Sequence, residues 1–165
     1  MTVGGPEGVS AGTDEPLFFS PGTYQIKGTG GAEVGPIDAN AGVSPPPLQW
    51  TNSDQLSEVA RGEGITFEWT PGDSPWVAVA GVSVDKARNA SAMFLCVPPD
   101  GVSSFHVPAA VLANFPASRP VIGHSRGFLT LASTAAGDPP LFSAEGLDFG
   151  AALSVAIHQK TVRFR

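Results

Sequence analysis

Between Gly64 and Val84 the chain follows a strict pattern. Ile65, Phe67 and Trp69 alternate with Thr66, Glu68 and Thr70, and a second apolar run, Trp76 to Val84, follows the breaker segment Pro71-Gly72-Asp73-Ser74-Pro75. Period-two alternation of β-branched and aromatic residues turns one face of a strand to a core and the other to water. Five turn-forming residues between the runs predict that they fold back on each other as an antiparallel hairpin. Everything else has to pack on that ribbon.

The same punctuation recurs along the chain. Of 165 residues, 20 are Gly and 16 are Pro, so few stretches are long enough for a helix. A hydrophobic content of 42% still gives the chain enough apolar surface to fold, and its length suits one domain. Short strands are predicted at Thr23–Lys27, Leu48–Trp50, Ala92–Val97, Ser104–Val107, Gly127–Ser133 and Leu141–Glu145, a short strand or a single helical turn at Leu56–Ala60, and a polar loop over Asp85–Ser91. In the last segment Leu153, Val155 and Ile157 alternate in one phase and Val162 and Phe164 in the other. A one-residue slip reverses every side chain, so a bulge or strand end is expected at His158–Thr161. Pro108 to Phe115 predicts a helix of two turns, with Pro at its first position and Pro116 beyond its end. Roughly nine to eleven short strands separated by turn signals indicate an all-β protein, an Ig-like Greek-key β-sandwich with one short helix near 108–115. Residues 1–12 read as a lead-in or the tail of an upstream module and 13–165 as the sandwich, with a candidate internal boundary in the proline run at 44–47.

The net charge of −6 is unevenly placed: seven acids and one base lie before Arg61, and eight of each from Arg61 onward. No basic stripe is available to hold a phosphate backbone, which argues against a nucleic-acid partner. Cys96 is the only cysteine and lies between Leu95 and Val97, where a thiol behaves as a small core hydrophobe. His106, His124 and His158 are widely spaced with no second ligand nearby, so neither a metal nor a cofactor is expected. No apolar run approaches the roughly 20 residues that a membrane-spanning helix requires.

Gly123-His124-Ser125-Arg126-Gly127 fits the G-x-S-x-G pattern of a nucleophile elbow, and Asp148 and His158 follow in the order Ser, Asp, His used by α/β-hydrolases. That chemistry needs Ser125 on a sharp strand-to-helix turn, His158 as its base and Asp148 to orient the base. The residues after the motif, Phe128 to Thr134, are strand-like, and nothing upstream alternates between strand and helix, so the pattern reads as a glycine-flanked loop. Trp50, Trp76 and Tyr24 are candidates for an aromatic platform that stacks on sugar rings, whereas Trp69 shares the phase of Ile65 and Phe67 and belongs to the core. Asn89-Ala90-Ser91 is a glycosylation sequon.

The order of several pieces resembles a known type of module. Gly28 to Gly35, Leu48-Gln49-Trp50-Thr51-Asn52, Gly64 to Asp73, Phe94-Leu95-Cys96, Phe105-His106-Val107-Pro108 with Val111-Leu112, Gly127 to Thr130 and Gly146 to Gly150 together resemble a secreted β-sandwich module of Acidobacteria-type bacterial surface proteins. The resemblance implies an Ig-like domain outside the cell, near the C-terminus of a longer chain, with no catalytic residue. The expected function is a non-catalytic structural or interaction module whose partners are other modules or copies of itself, working through loops or edge strands. Two alternatives are a polysaccharide-binding module using Trp50, Trp76 and Tyr24, and a filament subunit that exchanges its first 14 residues with the next copy. A serine hydrolase built on Ser125 is the enzymatic alternative.

Overall fold

The structure, a computed structural model, describes residues 21–43, 48–72, 76–118, 125–134 and 139–165, with Ser125 and Arg126 as backbone only. In chain order the strands are β1 (Gly22–Gly28), β2 (Ile37–Val43), β3 (Glu58–Val59), β4 (Ile65–Glu68), β5 (Val77–Asp85), β6 (Ala90–Cys96) and β7 (Ser104–Val107). A single helical turn, α1 (Ala109–Leu112), precedes β8 (Ser125–Thr134), β9 (Leu141–Phe142), β10 (Gly150–Ala151) and β11 (Val155–Phe164). The chain divides into two compact units, one of Met1–Pro45 with Gly137–Ser154, the other of Pro46–Ala136 with Val155–Arg165.

The first unit holds two antiparallel pairs, β1 with β2 and β9 with β10. They are tied by the amide of Gly35, which donates to the carbonyl of Glu145 at 2.8 Å. Gly146 has φ +81°, in the left-handed region that a residue with a Cβ rarely adopts, and a Cβ there would meet the backbone of Glu33.

The second unit is an all-β sandwich with one short helix, as the sequence predicts. One layer is a five-stranded sheet in the order β3-β11-β8-β5-β6, antiparallel except where β3 runs parallel to β11. The facing layer is the β4–β7 pair, extended by a bridge between Trp50 and Trp69. β8 returns beside β5 after β6 and β7, so that the fourth of these strands lies next to the first. A single apolar core joins the layers: Val79, Phe94, Leu129, Leu131, Val162 and Phe164 of the sheet meet Ile65, Phe67, Trp69 and Val107 opposite. Leu112 and Phe115 extend the core beyond the facing pair.

The expected hairpin does not form. β4 pairs with β7 and β5 with β6 and β8, so the two runs stand in opposite layers. Alternation shows which face of a strand is buried, but neighbours in one sheet and strands in two facing sheets share the same core and so carry the same pattern. Trp69 lies in the facing layer and Val77 in the five-stranded sheet, and stacked sheets pack roughly 10 Å apart. The helix is also shorter than predicted: only Ala109–Leu112 is helical, and Phe115 reaches the core from the turn that follows.

The expected bulge is absent as well. β11 pairs with β8 in unbroken register from Val155↔Thr134 to Val162↔Gly127. The change of phase is a change of face: Val162 and Phe164 point into the core, whereas Val155 and Ile157 lie on the opposite face and are exposed.

Glycines within the second unit's strands make room for rings. Gly81 of β5 is the cross-strand partner of Phe94, whose ring occupies the space that a Cβ would need, and Gly127 of β8 lies under the ring of Phe164 in the same way. The ring covers the backbone that the glycine leaves bare. Phe164 is fully buried, so Phe164→Ala removes its core contacts and uncovers Gly127. Urea denaturation should show a loss of about 3–5 kcal/mol for this variant.

Candidate functional site

The G-x-S-x-G segment does not build a nucleophile elbow. Ser125 opens β8 opposite Asp85 as the first of ten residues of strand, with no helix after it; Gly123 and His124 lie outside the described residues. His158 pairs with Leu131, six residues along β8 from Ser125, a distance of about 20 Å at strand rise. Asp148 belongs to the other unit. The serine nearest His158 in register is Ser133, whose cross-strand partner is Ala156. Its Oγ and Nε2 of His158 are both buried without a hydrogen-bond partner among the described residues, but Ser133 is fully enclosed and out of reach of a substrate.

The aromatic candidates are not assembled either. Trp50 is a core residue: its ring stacks on Phe67 with centroids 5.2 Å apart, and its Nε1 donates to Oδ1 of Asn52 at 2.9 Å. Buried Asn52 also accepts from the amide of Glu68 and donates to the carbonyl of Thr66, so every polar group around the indole is satisfied. The expectation that Trp50 is exposed is therefore corrected, because the bridge to Trp69 draws it into the facing layer. Trp76 is partly exposed, and Tyr24 belongs to the other unit.

Among the described residues no group of three or more His, Cys, Asp or Glu could hold a metal ion. His106 is held across the β4–β7 pair, its Nδ1 3.0 Å from Oγ1 of Thr66. Cys96 lies on the inner face of β6 opposite Val79, and burial pushes its thiol above the ordinary value. An open concavity of about 450 Å³ is lined by Arg61, Gly62, Ala109, Ala110, Ala113 and Arg165. Its two cations are already engaged: Nη1 of Arg61 donates to the carbonyl of Phe115 at 2.6 Å, and Nε of Arg165 is 3.3 Å from the carboxylate of Glu58.

The outer face of the five-stranded sheet, turned away from the β4–β7 layer, is different in kind. Register places Met93, Val82 and Phe128 side by side across β6, β5 and β8 on this face, with Leu95 next along β6. Met93 is 70% exposed, Leu95 62% and Ile157 of β11 58%, whereas Phe94, on the inner face of β6, is 6% exposed. The described charges of this face lie at one end, where Arg163 pairs with Glu58 at 3.5 Å. Among the described residues β6 is also an edge: the five-stranded sheet ends there, and Ala90–Cys96 contains no charge, no Pro and no Gly. The opposite edge, β3, is two residues long and carries Glu58. Isolated globular domains keep exposed apolar patches of this kind small.

The sequence carried a signal for this surface. Ala92 to Val97 is apolar at nearly every position, as a strand is when both its faces are covered. The phase change after Ile157 is the second sign, because it places apolar residues of β11 outward.

Two outcomes test the residues excluded above. A fluorophosphonate probe should label neither the native chain nor Ser125→Ala, since His158 lies six residues along the sheet from Ser125; labelling that disappears in the variant would contradict the arrangement described. Cys96 should be alkylated more slowly at neutral pH than a free thiol, with the rate rising into the alkaline range as thiolate forms. Comparison with protein-family models, with curated proteins and with solved structures gave no match for this chain.

Proposed function

We propose that this chain is a non-catalytic interaction module, a structural part of a larger assembly, whose contact surface is the outer face of its five-stranded sheet. The observation that carries the reading is the placement of Met93, Leu95 and Ile157, large apolar side chains that alternate outward from strands whose inner residues already fill the core. Burying a side chain of this size against a partner contributes about 1.5–3 kcal/mol. Three such residues on one face are enough for the energetic centre of an interface. The Arg163–Glu58 pair marks a polar rim on the β11 side.

A place outside the cell, on a bacterial surface protein, rests on the order of the sequence pieces that resemble such modules. Among the described residues no helix is long and apolar enough to cross a membrane. The module's work is to hold other protein modules, or copies of itself, by backbone and apolar contact, and this needs no cofactor.

Hydroxyl-radical footprinting tests the reading through Met93, whose exposed thioether oxidises readily in the isolated chain. In the assembly from which the chain comes, its conversion to sulfoxide should fall severalfold. Equal oxidation in both settings would show that the face stays in water and would remove the proposal.

A further inference from the structure

We infer that the first partner of this surface is a second copy of the chain, joined by antiparallel pairing of β6 with β6 into one continuous ten-stranded sheet. The inference rests on the interaction-module reading and names the partner that the sheet edge would take.

Proteins guard the edges of their sheets with charges, prolines, bulges or short strands, because a free row of N–H and C=O groups pairs with any other such row. The two edges of this sheet are treated in opposite ways. β3 is short and bears Glu58, in contact with Arg163 and Arg165. β6 is seven residues long, regularly paired to β5 along its whole length, and has none of these devices. Its flanking charges, Arg88 and Asp100, lie beyond its ends.

Pairing with a copy is the arrangement that this strand meets without further design. An antiparallel pair of identical strands is self-complementary about a twofold axis, so each backbone group that one copy offers is met by the same group of the other. With the axis beside Phe94, Met93 faces Leu95 of the second copy and Leu95 faces its Met93, about 5 Å apart on the outer face, the spacing at which cross-strand apolar pairs stabilise a sheet. Such pairing closes at two copies, because each chain is left with β3 as its free edge. Charge does not oppose it. The acidity of the chain belongs largely to the first unit, while the unit that carries β6 has eight bases against seven acids.

The experiment is sedimentation velocity of the full chain over a wide concentration range, with amide hydrogen exchange measured at the dilute and concentrated ends. The expected result is a monomer–dimer equilibrium in which amides of Ala90–Cys96 gain protection as dimer forms. Leu95→Lys places a charge on the exposed side of the edge and should weaken the dimer at least about tenfold. Val111→Lys, the same change on the exposed side of α1, should leave the dimer intact. A chain that stays monomeric throughout overturns the inference and leaves the face to a different protein, which the Met93 footprint detects independently. A dimer whose β6 amides exchange equally at both concentrations also overturns it, since the copies then meet elsewhere. The exchange measurement on the native chain decides the matter even if Leu95→Lys fails to fold.

Discussion

Aromatic packing between the two layers of the sandwich is the interaction on which the second unit depends. Phe115 sits between Phe94 and Phe164, with ring centroids 5.7 and 5.2 Å away, and Phe67 stacks on Trp50 on the side of the facing pair. These rings join residues far apart in sequence: a return turn after α1, an edge strand, the C-terminal strand and the facing layer. Offset and tilted ring contacts add to the area that each ring buries, so the layers are fixed laterally as well as held together. The small facing layer, only four residues per strand, suffices because its side chains are large.

Polar groups are arranged to serve that packing. Ser118 accepts from the amide of Phe164 at 2.6 Å through its Oγ, while its own amide donates to the carbonyl of Phe164 at 2.9 Å, and Oγ of Ser83 donates to the carbonyl of Pro116. The turn that brings Phe115 into the core is thereby stitched to both β11 and β5. Asp85, buried at the end of β5, accepts from the amides of Ala87 and Arg88 and shapes the tight reversal into β6, which Asn89 completes with φ 50°. A buried carboxylate that accepts two backbone N–H groups is a turn device, not a free acid for chemistry.

With the inner face occupied, the outer face is where function can reside. Sandwich strands normally alternate apolar inward and polar outward, and β5 and β8 approach that rule only in part, with Ala78, Ala80, Thr130 and Ala132 outward beside Val82 and Phe128. β6 and β11 break it with Met93, Leu95, Val155 and Ile157. Departures from pattern that bring no gain within the isolated fold are the places to look for a partner. The contact reading and the dimer inference both start from that departure.

The sequence by itself determined the class of fold and several elements nearly to the residue, β7 at Ser104–Val107 among them, because Gly and Pro punctuation and period-two alternation are local properties of the chain. It also determined that Ile65, Phe67 and Trp69 share one buried face. Only the tertiary structure decided which strand lies beside which: β4 against β7 instead of β5, Trp50 inward against Phe67, Ser125 a strand's breadth of six residues from the level of His158. Pairing partners and distances across a sandwich are set by non-local contacts, and alternation is the same for a neighbour in the sheet as for a strand opposite. The phase change in β11 shows the limit most plainly. Its residues announced that something reverses near His158, but the unbroken register was needed to show that the reversal exposes an apolar face.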